Sequence, residues 1–115
     1  TYRFGVDCPG GDIRLTVPHY DGALTEIFVD GVHAGEIIFP PYELELKELS
    51  AGRHEIEVKL YTNRRNAFGT VHLYDKKCHC IGPDAWRTSG CQWSYEYVLR
   101  NVGVESAPVI YSLKK

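Results

Sequence analysis

The sequence predicts an all-β domain, a two-sheet antiparallel β-sandwich or jelly roll of about eight short strands. Three observations carry that expectation. Apolar residues recur at every second position along much of the chain, helical periodicity is nearly absent, and turn chemistry interrupts the pattern roughly every dozen residues. Charged residues fill many of the alternate positions, as in sheets packed on one face and solvated on the other.

The elements follow in order. Thr1-Tyr2-Arg3-Phe4 already reads as the middle of a strand, and Ile13, Leu15 and Val17 alternate with Arg14 and Thr16. His19 could line a sugar site, but after Pro18 and before Gly22 it is expected in a connecting turn. Ile27 and Val29 lead into Asp30-Gly31, a hairpin signal because both residue types tolerate positive φ. A return strand over Gly35 to Phe39 ends at Pro40-Pro41, since proline cannot donate to a ladder. Leu44 and Leu46 alternate with Glu43, Glu45 and Lys47, and residues 47–51 read as a single helical turn closed by Gly52. The clearest strand places Ile56, Val58 and Leu60 inward and Glu55, Glu57 and Lys59 outward. Beyond the polar run Asn63-Arg64-Arg65-Asn66, a strand is expected at Val71 and Leu73. A long loop over 76–92 is a functional candidate by its length. Strands around 93–99 and 108–113 complete the set.

A chain of 115 residues fits one domain, 1–115, and an apolar content of 43% is enough for a core. Thirteen Lys and Arg against fifteen Asp and Glu give a net charge of −2, which argues against nucleic acid as a partner. No apolar run approaches the roughly 20 residues that span a bilayer, so no membrane partner is expected. The absence of methionine and the start at Thr1, in what reads as mid-strand, lead us to expect a piece of a longer chain. Cys8, Cys78, Cys80 and Cys91 are expected as reduced, partly buried thiols, because a bridge within Cys78-His79-Cys80 would be strained.

The segment from Val17 to Gly69 carries a resemblance. Val29-Asp30-Gly31 is followed by Ala34-Gly35, by Pro40-Pro41-Tyr42, by Leu44, Leu46 and Leu49, by the Ala51-Gly52 turn, and by Ile56, Val58 and Leu60 leading to Asn63 and Asn66. In that order and spacing these elements resemble the galactose-binding-like, sugar-binding β-sandwich of glycoside hydrolases such as β-galactosidases, β-glucuronidases and α-L-rhamnosidases. About half of the chain takes part, and the cysteine loop has no counterpart in the pattern. The resemblance implies a non-catalytic accessory domain that braces a catalytic domain of the same chain, with carbohydrate as a further partner. An independent carbohydrate-binding module is the alternative, and a zinc or redox domain on the cysteine loop is a third.

Three constellations could carry chemistry. Sugars present apolar C–H faces rimmed by hydroxyls, and an exposed aromatic platform beside Arg, Asn or Gln side chains suits them. Trp86, Arg87, Trp93, Asn63, Arg64 and Asn66 are the candidates, with Gln92 and Tyr95 beside them. The competing reading has Trp93 and Tyr95 closing the core and the asparagines capping turns. A metal site would draw on Cys78, His79, Cys80 and Cys91, with His72 as a further donor, yet a C-x-C pair is shorter than the usual zinc spacing. No cofactor is expected. Nor is any catalytic residue assigned, because glycoside hydrolysis needs two carboxylates roughly 5 to 10 Å apart across a cleft. Glu43, Glu45, Glu55 and Glu57 instead alternate along solvated strand faces.

Overall fold

The computed structural model describes residues 1–74, 82–86 and 88–113. The chain divides into two compact units, Thr1–Thr62 with Val102–Lys115, and Asn63–Asn101. The first unit holds nine strands among the described residues: β1 (Tyr2–Cys8), β2 (Gly11–Thr16), β3 (Tyr20–Asp21), β4 (Leu24–Val29), β5 (Val32–Ile37), β6 (Glu43–Leu49), β7 (Gly52–Tyr61), β8 (Gly103–Val104) and β9 (Val109–Ser112). They form a four-stranded sheet in the order β1-β7-β4-β5, a three-stranded sheet β6-β2-β9 and the short pair β3-β8. Every pairing is antiparallel, so the chain is all-β as expected.

The alternation read from the sequence becomes a burial pattern. Ile56 and Val58 of β7 are fully buried with Ile27 of β4 and Ile37 of β5, and they share one cluster with Leu15 of β2 and the adjoining Val17. Residues of both larger sheets therefore bury their apolar sides against each other. Removing that much aliphatic surface from water is the main stabilising term here, at about 1.5–3 kcal/mol for each fully buried side chain. Cys8, Ile13 and Leu46 make a smaller cluster beside it. Burial pushes the Cys8 thiol up, which keeps it protonated and inert. Thr25 of β4 is also fully buried, and its hydroxyl donates to the Ile37 carbonyl at 3.3 Å.

The hairpin signal at Asp30-Gly31 is met: Val29 pairs with Val32, and the two turn residues take φ of 50° and 80°. The turn is tied to β7 three ways. Asp30 N–H donates to the Glu55 carbonyl at 2.8 Å, and Glu55 N–H donates to the Asp30 carboxylate at 2.8 Å. His54 Nδ1 stands 2.6 Å from the same carboxylate, while Nε2 faces the Ser50 carbonyl at 3.0 Å. Two acceptors at the two ring nitrogens call for a doubly protonated imidazolium. The hydrogen bond to Asp30, and after it the Ser50 carbonyl, raises the His54 pKa; the bonds from His54 and then Glu55 N–H lower that of Asp30.

One expectation is corrected. Residues 47–51 do not form a helical turn, because β6 continues to Leu49. Its register against β2 shifts between the Ile13–Leu46 and Gly11–Leu49 pairs. Glu48 adopts φ of 56° there, and its N–H is satisfied by the Asp12 carboxylate at 3.0 Å. A bulge with a side-chain acceptor has taken the place of the expected helix.

Two outcomes follow from this packing. Ile56→Ala lowers unfolding free energy by about 2–5 kcal/mol, whereas a change at the exposed tip, Ile38→Ala, stays within about 0.5 kcal/mol, as urea unfolding would measure. The His54 contribution is complete below its ordinary pKa of 6.5 and is lost as pH rises through the raised value. The Asp30 contribution is complete above its ordinary 3.8 and is lost as pH falls through the lowered value. The melting-temperature deficit of His54→Gln is therefore larger at pH 5.5 than at pH 8. A deficit flat across that range would rule out the charged pair.

Candidate functional site

The second unit is built from short pieces held by side-chain contacts. A single helical turn, α1 (Arg65–Phe68), begins where the Asn63 side chain accepts the Arg65 N–H at 3.1 Å. Gly69 closes it by donating to the Arg65 carbonyl at 2.7 Å. A Cβ at Gly69 would collide with that same oxygen, so the turn requires glycine. Asn66 pairs reciprocally with the Arg100 backbone, donating to its carbonyl at 2.8 Å and accepting its N–H at 3.0 Å. The guanidinium of Arg64 lies 6.0 Å from the Phe68 ring centroid. Asn63 thus caps the turn, as the competing reading has it, whereas Asn66 ties α1 to the backbone at Arg100, distant in sequence.

The strands expected at 71–73 and 93–99 do not form. Leu73 and Trp93 make an isolated antiparallel bridge, flanked by Tyr74 N–H to the Gln92 carbonyl at 2.7 Å and Ser94 N–H to the His72 carbonyl at 2.8 Å. Beyond it Val98 N–H reaches back to the Val71 carbonyl at 2.6 Å. The alternation at Trp93, Tyr95 and Tyr97 serves another purpose. Tyr95 stacks on Trp93 at 5.1 Å between centroids, Trp93 meets His72 at 4.7 Å, and His72 meets Tyr97 at 4.8 Å. These four rings make a ladder, and its outer members are open to water: Tyr95 is 95% exposed and Tyr97 71%. Tyr95 does not close a core.

Beside the ladder lies a cleft of about 170 Å³, lined by Gly69, Thr70, Val71, His72, Trp86, Thr88 and Trp93. Trp86 enters from a 3-10 turn over Pro83–Trp86, and Trp93 is oriented by its indole N–H, which donates to the Thr88 carbonyl at 2.8 Å. His72 Nδ1 faces the Ser94 carbonyl at 2.9 Å, so that nitrogen carries the proton and Nε2 is left as an acceptor in the neutral ring. Thr70 is the unusual member. It is buried, and its hydroxyl has no hydrogen-bond partner among the described residues. A buried hydroxyl without a partner costs free energy that a bound polar group would recover. None of the described lining residues carries a formal charge when His72 is neutral, so the cleft suits a neutral ligand with an apolar face and a few hydroxyls.

Of the six residues picked out for carbohydrate, the structure brings Trp86 and Trp93 to the cleft and places Asn63, Arg64 and Asn66 on and beside α1. Arg87 lies outside the described residues, as do Cys78, His79 and Cys80; Cys91, expected to be partly buried, is an exposed free thiol. The sequence reading missed Thr70 and Tyr97. The two-residue spacing of Trp93, Tyr95 and Tyr97 was a visible signal for the latter; nothing marked Thr70.

No protein-family model matches the chain, and no curated protein matches it. Among solved structures, a rhamnosidase from Novosphingobium sp. PP1Y is similar over 95% of this chain, with a TM-score of 0.58 and 18% identity. The chain spans 10% of that protein's length, and at such identity the likeness is one of fold. In fold, then, this all-β chain is similar to a small part of a glycoside hydrolase.

Proposed function

We propose that the chain is a non-catalytic accessory domain of a glycoside hydrolase, a galactose-binding-like two-sheet β-sandwich that holds carbohydrate at the cleft of its second unit and braces a catalytic domain of the parent chain. The observation that carries the sugar reading is the cleft itself: Trp86 and Trp93 supply aromatic surface, and the buried Thr70 hydroxyl has no partner among the described residues. The rhamnosidase likeness and the shared core of the two larger sheets support the accessory-domain reading. The non-catalytic reading draws on the described carboxylates of the strands. Glu45 and Glu43 lie 2.8 and 3.5 Å from Arg14, and Glu57 lies 2.8 Å from Arg3, all on solvated faces. Bracing draws on the apolar tip at Ile38 and Phe39, the latter 76% exposed.

Calorimetry and tryptophan fluorescence against galactosides, rhamnosides and plant oligosaccharides test the sugar reading. Saturable binding is expected, and Trp86→Ala weakens it roughly tenfold, the factor that about 1.4 kcal/mol of lost ring contact represents. Thr70→Val separates ligand from fold. It removes a buried hydroxyl that has no partner among the described residues, so the free protein gains about 1 kcal/mol in stability while sugar affinity falls. No response to any sugar at millimolar concentration would sink the reading.

A further inference from the structure

The hairpin of β4 and β5 contains a placement that strand periodicity alone forbids. The ladder pairs Thr25 with Ile37, Glu26 with Glu36 and Ile27 with Gly35, and then slips so that Phe28 faces His33. Ala34 is the residue left over, and Gly35 beside it takes φ of 154°. In a regular strand, His33 and Glu36, three apart, would point to opposite faces of the sheet. The bulge returns both to the outer face, next to Glu26. Nε2 of His33 then stands 3.6 Å from a Glu36 oxygen, and the donor atoms of Glu26, His33 and Glu36 all lie within 4.8 Å of one another.

The surroundings fit a cation. Two glutamates directly opposite each other across a ladder repel, which is a cost to the hairpin unless positive charge sits between them. Lys59 offers part of it, with Nζ 3.5 Å from Oε2 of Glu26. The Tyr61 hydroxyl donates to that same oxygen at 2.7 Å, so both contacts fall on one side of the carboxylate and orient it. The His33 ring is steadied edge-to-face against Phe28, 5.3 Å between centroids.

We propose that Glu26, His33 and Glu36 form a site for a divalent transition metal, zinc being the fitting ion, with three protein ligands and a remaining position open to water or an incoming ligand. An imidazole among the donors favours zinc over calcium or magnesium, which take oxygen. A tetrahedral ion with bonds of about 2.0–2.1 Å spaces its ligands about 3.4 Å apart, close to the separation that His33 and Glu36 already show. Glu36 is half-exposed, and a turn about its side-chain bonds would bring its carboxylate the last distance toward Glu26. Two carboxylates and a dication cancel in formal charge, and Lys59 beside Glu26 brings the total to +1. The site lies in the first unit and does not depend on the sugar cleft.

Zinc titration of the full chain against a chromophoric chelator is the test, with cobalt as a spectroscopic stand-in. One equivalent of zinc is expected to bind and to raise the melting temperature. His33→Ala and Glu36→Gln each weaken that binding tenfold or more, while the combined Cys78→Ser, Cys80→Ser and Cys91→Ser variant retains it. The cobalt form should show visible d–d bands without a thiolate charge-transfer band. Both substituted side chains are on the outer face, so unchanged melting temperatures without metal confirm that each variant is folded. Absence of stoichiometric binding, or binding that survives His33→Ala and disappears with the cysteines, overturns the proposal.

Discussion

Leu15 and Val17 meet Ile27, Ile37, Ile56 and Val58 in a cluster almost wholly removed from water, and the first unit is arranged around that meeting. Because side chains alternate along a strand, fixing one face inward fixes the other outward. A slip of one residue in β7 would carry Ile56 and Val58 to solvent and bring Glu57 and Lys59 into the cluster. The aliphatic contacts thus determine where Arg3, Arg14, Glu26 and Tyr61 stand, although none of these touches the interior. The clasp of Asp30 and His54 holds one end of the same arrangement, fastening the β4–β5 turn to β7.

The second unit rests on different forces. Leu73 and Thr70 are its buried members among the described residues, and the rest is held by specific polar bonds and ring contacts: Asn63 on Arg65, Asn66 on Arg100, Trp93 on Thr88, and the four-ring ladder. Such bonds are worth about 1 kcal/mol each and depend on geometry, so this unit is specified by individual residues more than by pattern.

That contrast explains what could be read in advance. Period-two alternation located β2, β4, β6, β7 and β9, and Asp30-Gly31 located the hairpin, because each is a local consequence of pleat or of permitted φ. The bulge at Glu48 escaped because it needs Asp12, distant in sequence, to satisfy a freed N–H. The ladder escaped for a related reason. Alternating aromatics imply a common face, but only partners such as His72 decide whether that face is covered or open. His33 and Glu36 were invisible as a pair, since their spacing denies the contact that Ala34 restores. Trp86 and Trp93 were legible as a candidate platform from residue type and loop position alone, and the buried Thr70 hydroxyl was not.

The same extra residue in β5 has a consequence for the chain as a solute. β5 is the outer strand of its four-stranded sheet, with β4 on one side and, among the described residues, no partner strand on the other. A flat outer strand exposes a row of unpaired amides and carbonyls on which another copy could lay down its own strand and begin to polymerise. The kink at Ala34-Gly35 breaks the spacing of that row, and His33 and Glu36 place polar groups beside it. The bulge therefore works against self-templating, keeping an exposed sheet margin from becoming a seed for fibrils.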